Sequence, residues 1–307
     1  MCTGVGSAAD LALQKEQVLR AAKRYTLDPA APKRYRTRAQ PVQDIFLARI
    51  LEGCTAVRNL SVECLSVAYE GGVETGPGRL ESTLTVLSRS EQLMRLDSLA
   101  LEFPWARRFD LAIVSTILRT PSSLRTLRLA FPPDSPIRHE YARACSTLGA
   151  LTSLAYLTLV DAPQALLSTL TELKSLAHLT LLTTTPAWRA PEPGLPRLPS
   201  LTHLTFDRMP SPDGAGGADF PRLSDLTLDY GVWAPLFSVF SHAPITSLTI
   251  DHFQDCDIET QLVPVLASMG SLRRMVVRYP MPVKERLLRA WAEGAGVEYV
   301  QQNGQEV

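Results

Sequence analysis

The chain has 307 residues, with 31 basic and 31 acidic side chains and 45% apolar residues. Zero formal net charge excludes a general pull toward nucleic acid or an anionic membrane surface, and no apolar run approaches the roughly 18 residues that cross a bilayer. Five scattered cysteines, Cys2, Cys54, Cys64, Cys145 and Cys256, form no C-x-x-C pair, which fits a reducing cytoplasmic or nuclear compartment better than a disulfide framework.

The start, MCTGVGSAADLALQKEQ, has no basic segment followed by an apolar run, so no secretory signal is expected. Residues 1–41 read as a helix followed by a basic, partly disordered linker. The linker, KRYTLDPAAPKRYRTRAQ (23–40), sets Lys23, Arg24, Lys33, Arg34, Arg36 and Arg38 against the single acid Asp28. Such a segment is a solvated linker, or else a nuclear-import or RNA-contacting tail.

From residue 42 to residue 303 the chain reads as one repeat domain. Its unit is apolar-x-x-Leu-x-apolar. The first copy is Val57-x-x-Leu60-x-Val62, and others start at Leu96, Leu124, Leu154, Leu176, Leu201, Leu223, Ile245 and Leu272. Middle positions from Leu157 onward fall at 179, 204, 226, 248 and 275, steps of 22, 25, 22, 22 and 27. Val297 to Val300 add a candidate capping strand. Repeats of this length with an L-x-x-L-x-L core stack so that neighbours share one continuous apolar interior.

The connecting segments supply the other face. Residues 110–119, 164–173, 258–269 and 283–294 carry apolar residues at helical spacing, as in Leu166, Leu167, Leu170 and Leu173. Asp110 and Asp257 are candidate N-caps. Residues 183–199 hold five prolines and residues 209–222 are rich in Gly and Pro, so both are expected as extended loops.

These repeats resemble a leucine-rich-repeat domain. The fold class is therefore α/β: a ribonuclease-inhibitor-like solenoid with a curved parallel sheet of about nine strands and helices and loops on its convex side. ILEGCTAVRNLSVE (50–63) and ILRTPSSLRTLRLA (117–130) are most similar to the repeat region of fungal F-box/leucine-rich-repeat proteins. The resemblance implies a protein-binding role, and in that family a substrate-recognition role in a ubiquitin ligase. QPVQDIFLARIL (40–51) echoes an F-box opening only faintly and runs straight into the first repeat. The adaptor-binding role is therefore carried onto no residue here, and a ligase subunit with a degenerate or missing F-box is the alternative function.

Within each strand side chains alternate faces, which sorts the exposed positions into columns. The first column includes Tyr156, His178, His203, Asp225 and Arg274. The middle column is a run of threonines, Thr158, Thr180, Thr205, Thr227 and Thr249. The outer column includes Asp207, Asp229, Asp251 and Arg278. Threonine suits a half-exposed strand. Three stacked carboxylates repel, so the aspartates either cap the following turns or form an acidic stripe for a basic partner. Basic residues flank the array, Arg125 and Arg128 at one end and Arg273, Arg274 and Arg278 at the other, making the face dipolar along its length.

No H-E-x-x-H, Cys/His metal spacing, G-x-S-x-G or G-x-x-x-x-G-K-[ST] pattern occurs. The expected function is a non-enzymatic scaffold, monomeric and without cofactor or metal. It would bind a protein partner carrying a basic patch on the concave sheet, with no membrane and no nucleic acid. Its candidate contact residues are Tyr156, His178, His203, Asp207, Asp225, Asp229, Asp251, Arg274 and Arg278.

Overall fold

The computed structural model describes residues 58–63, 89, 91–102, 117–119, 123–131, 146–162, 164–182, 197–206, 220–228, 240, 242–252, 258–279 and 282–302. All belong to the unit Cys54–Val307. The expected boundary at residue 41, the basic linker, the segment 40–51 and the candidate caps Asp110 and Asp257 lie outside the described residues.

Ten strands form one parallel sheet in sequence order. They are β1 (Asn59–Glu63), β2 (Ser98–Glu102), β3 (Thr126–Ala130), β4 (Tyr156–Val160) and β5 (His178–Leu182), followed by β6 (His203–Phe206), β7 (Asp225–Leu228), β8 (Ser247–His252), β9 (Arg274–Tyr279) and β10 (Glu298–Gln301). This is the leucine-rich-repeat fold. The strand that the sequence marks as a cap at 297–300 is β10, paired to β9.

The register follows the repeat motif residue by residue. Leu157 faces Leu179, then Leu204, Leu226 and Leu248 along successive strands. All five are buried on the covered side of the sheet, none more than 1% exposed. Each fully buried leucine contributes about 1.5–3 kcal/mol. A three-residue turn leads into most strands and buries its first apolar residue as well. Leu154, Leu176, Leu201, Leu223 and Leu272 each donate a backbone N–H to the carbonyl three residues back, at 3.0–3.2 Å.

A second ladder fixes the entry of each strand. One carbonyl accepts two N–H groups from the next repeat. Ala177 O takes Thr202 and His203 at 2.8 and 3.0 Å, and Thr202 O takes Ser224 and Asp225, both at 3.0 Å. Side-chain hydroxyls lie against three of these carbonyls, Thr202 Oγ1 3.0 Å from Ala177 O, Ser224 Oγ 3.2 Å from Thr202 O and Thr246 Oγ1 3.2 Å from Ser224 O. Every carbonyl so used is satisfied, as backbone polar groups must be.

The covering layer is less helical than the sequence implies. Residues 164–173 give only one α-turn, α1 (Gln164–Leu167), continuing as a 3-10 turn over Ser168–Glu172. A 22-residue repeat leaves too few residues after its strand and turns for a longer helix. Residues 258–269 open with a π-turn, Ile258–Leu262, before α2 (Val263–Ser268). Pro264 has no N–H to extend an α-ladder back to Thr260, and the wider turn precedes it. The last segment is a full helix, α3 (Pro282–Ala295), with Leu288 and Ala292 buried. Phe206, Phe220 and Phe240 fill the interior beneath β6 and β7, with ring centroids 6.1 and 5.5 Å from Phe240.

At the C-terminal end, the Arg289 guanidinium lies 5.3 Å over the Tyr299 ring and pairs with Glu285 at 2.8 Å. Burial pushes the Tyr299 hydroxyl up to about 12; Glu285 adds to the shift and Arg289 opposes it. The folded value exceeds the unfolded one of about 10, so the unfolded chain releases this proton first. The contribution is therefore whole below about pH 10 and is lost as pH rises toward 12. A phenolate absorbance titration should show a late-ionising tyrosine that is lost in Tyr299→Phe. The variant should also lose less stability across that range than the parent protein.

Candidate functional site

The open face of the sheet carries the columns that the strand alternation sets up. Thr158, Thr180, Thr205, Thr227 and Thr249 are register neighbours and half-buried. Beside them, Tyr156, His178, His203, Asp225, Ser247 and Arg274 are successive register partners across β4 to β9.

Three of these side chains stack. Tyr156 and His178 have ring centroids 4.2 Å apart at 18°, and His178 and His203 are 4.0 Å apart at 19°. The spacing is close to the roughly 4.8 Å between strands, so a ring at the same position of each strand meets the next ring nearly face to face. Tyr156 remains 48% exposed. Asp225 ends the row, with its Oδ2 3.3 Å from His203 Nε2.

The column rests on the hydroxyl ladder beneath it. Thr202 Oγ1 lies 2.8 Å from His203 Nδ1, and Ser224 Oγ donates to Asp225 Oδ2 at 2.5 Å. Each of these hydroxyl residues immediately precedes the side chain it supports, so the ladder that sets the strand register also orients His203 and Asp225. Residue type alone gives no reason to single out Thr202, Ser224 and Thr246, and none of them is among the candidate contacts read from the sequence. Their signal is nevertheless present there. LTHLTFD, LSDLTLD and ITSLTID each place a hydroxyl at the second position.

His178 is held below the usual histidine range, first by burial and then by its neighbour His203, with Asp225 opposing. On acidification the unfolded chain takes up this proton before the folded one. The contribution of His178 is therefore present above about pH 6.5 and is lost as pH falls through its folded value. Imidazole NMR should show His178 titrating below the usual range, and His178→Gln should flatten the acid side of the stability profile.

Chemically, the row links the Thr202 hydroxyl to His203 Nδ1 and His203 Nε2 to Asp225. The Thr202 hydroxyl is held against the Ala177 carbonyl, a placement suited to support rather than to attack on a substrate. Among the described residues, no three His, Cys, Asp or Glu side chains gather to hold a metal ion. No described helix is long and apolar enough to cross a membrane.

The outer column departs from expectation. Asp207 and Asp229 lie outside the described residues. Strand alternation predicts Asp251 on an exposed strand end, but it is 6% exposed. Its oxygens meet the Arg278 guanidinium at 3.1 Å, Arg278 standing opposite it on β9. The reason is that β8 and β9 stay paired as far as His252 and Tyr279. The last strand positions are thus inside the sheet, and a buried carboxylate is retained there by pairing. Ala130 and Val160, at equivalent positions, are buried as well. Past β4 the chain turns inward at Asp161, whose φ of 51° lies in the left-handed region that Asp tolerates. Asp161 N–H continues the ladder to Leu182 O at 2.8 Å. Arg274 pairs with Glu298 at 3.7 Å, so the basic C-terminal flank is partly neutralised.

No protein-family model and no curated protein matches this sequence. Among solved structures, the chain is similar to the leucine-rich-repeat-containing protein LegL7 of Legionella pneumophila, at 13% identity over 84% of this chain and 88% of that one, with a TM-score of 0.43. It is also similar to human 5T4 (Wnt-activated inhibitory factor 1, trophoblast glycoprotein), at 20% identity over 73% of this chain and 70% of that one, with a TM-score of 0.35. A third likeness is to an internalin, inlF, of Listeria monocytogenes, at 13% identity over 86% and 90% of the two chains, with a TM-score of 0.32.

Proposed function

We propose that this chain is a protein-binding scaffold without catalytic chemistry of its own. Its partner lies across the open face of the sheet over β4 to β7. The observation that carries this reading is the exposed stack of Tyr156, His178 and His203. A sheet face left to water is ordinarily dressed in threonine and charge, as the neighbouring column is. A contiguous row of rings with a half-exposed tyrosine is instead the composition of an interface core. The balanced charge, 31 basic against 31 acidic residues, argues for a protein rather than a nucleic acid as that partner. The scattered cysteines support a reducing compartment, cytoplasmic or nuclear, and we take the chain to act as a monomer.

The test is affinity purification of the intact chain from its native cell beside a Tyr156→Ala, His178→Ala variant of unchanged melting temperature. The reading expects a partner held by the parent chain and lost by the variant. Equal recovery by both would place the binding surface elsewhere. The ligase-subunit reading rests on the resemblance of residues 50–63 and 117–130, its segment 40–51 lying outside the described residues, and predicts ubiquitin-ligase adaptors among the recovered proteins.

A further inference from the structure

The ring column ends on a patch whose contacts hold whether or not the His203 ring carries a second hydrogen. The Thr202 hydroxyl has one hydrogen and two neighbours, Ala177 O at 3.0 Å and His203 Nδ1 at 2.8 Å. With that hydrogen turned to Nδ1, the ring accepts it, keeps its own hydrogen on Nε2 facing Asp225, and is neutral. With the hydrogen turned to Ala177, Nδ1–H donates to Thr202 while Nε2–H still faces Asp225, and the ring is a cation. Rotation of one hydroxyl therefore preserves the His203–Asp225 contact of 3.3 Å in both protonation states. Only the charge changes, from minus one for the pair to zero.

The charges around this patch narrow what it fits. On the C-terminal side, Arg274 already faces Glu298 and Arg278 already faces Asp251. On the N-terminal side, Arg125 and Arg128 belong to the β3 repeat, four strand steps or about 19 Å from β7. That is about twice the screening length at physiological salt. Among the described residues of this face, Asp225 is thus a carboxylate that faces an imidazole rather than an arginine. Its side chain is 38% exposed. Ser224 and His203 both approach Oδ2, which leaves Oδ1 for an incoming donor.

Resting on the scaffold reading above, we propose that this column is the docking site for a basic side chain of the partner, seated on Asp225 against the ring edges of His203 and His178. The complementarity is of charge at Asp225 and of shape along the rings, whose apolar edges receive the aliphatic stem of an arginine or lysine.

The probe is a blocked Gly-Arg-Gly peptide, with Gly-Glu-Gly as its opposite, titrated into the full chain labelled with carbon-13 at the histidine rings. At about pH 7.5 the arginine peptide should move the His178 and His203 resonances and leave exposed His242 unmoved. Asp225→Asn should lower the apparent affinity by about fivefold, the scale of losing one exposed ion pair. The proposal is overturned if the two resonances stay fixed, if the glutamate peptide moves them more, or if Asp225→Asn keeps the affinity. Failure of the peptide, where a captured partner still requires Tyr156 and His178, removes the basic contact and leaves the scaffold reading standing. Failure of both removes the scaffold reading as well.

Discussion

Replacing Leu226 by Asp should destabilise the protein by about 4 kcal/mol or more, because the carboxylate would be placed in the sealed interior without a partner. Leu226 is 1% exposed, and its register neighbours Leu204 and Leu248 are as deeply buried. The adjacent residue, Thr227, points to the open face. Thr227→Lys should therefore cost about 1 kcal/mol or less. Chemical unfolding of the two variants tests the alternation directly. Comparable losses would mean that the repeat register is wrong.

Phe240→Ala carries the second large effect, a loss of about 3–5 kcal/mol. Phe240 is fully buried and sits between Phe206 and Phe220. A short repeat cannot close by local rearrangement over the volume of a lost ring, so the cavity should persist. Phe240→Leu should recover more than half of the loss. A variant that melts with the parent protein would show that the ring cluster contributes nothing to the core.

What the sequence disclosed depended on how directly each feature follows from strand alternation. Leu157, Leu179, Leu204, Leu226 and Leu248 were legible because one buried residue recurs per repeat at a fixed place. The adjacency of Tyr156, His178, His203 and Asp225 was legible for the same reason. The outer column was not, because its fate depends on where each strand ends. Asp251 looks equivalent to Asp207 and Asp229 in the motif, yet β8 and β9 run on past it and Arg278 stands opposite. Whether a repeat of 22 residues covers its core with a helix or a 3-10 turn is likewise decided by packing that periodicity does not encode. Leu166, Leu167 and Leu170 are buried as the helical spacing implies, but the backbone beneath them is half 3-10. The hydroxyls of Thr202 and Ser224 were visible as letters. Their role follows only from the strand-entry geometry, which sets Thr202 Oγ1 against His203 Nδ1 and Ser224 Oγ against Asp225 Oδ2.

The central claim is that the open face over β4 to β7 receives the partner, and histidine labelling tests it most directly. The captured complex and the free chain would be treated with diethyl pyrocarbonate and the modified histidines mapped. His203, with 45% of its side chain exposed, and exposed His242 should both react in the free chain. The account predicts that the partner protects His203 and His178 several-fold while His242 reacts as before. Undiminished labelling of His203 in a complex that shields His242 would contradict it.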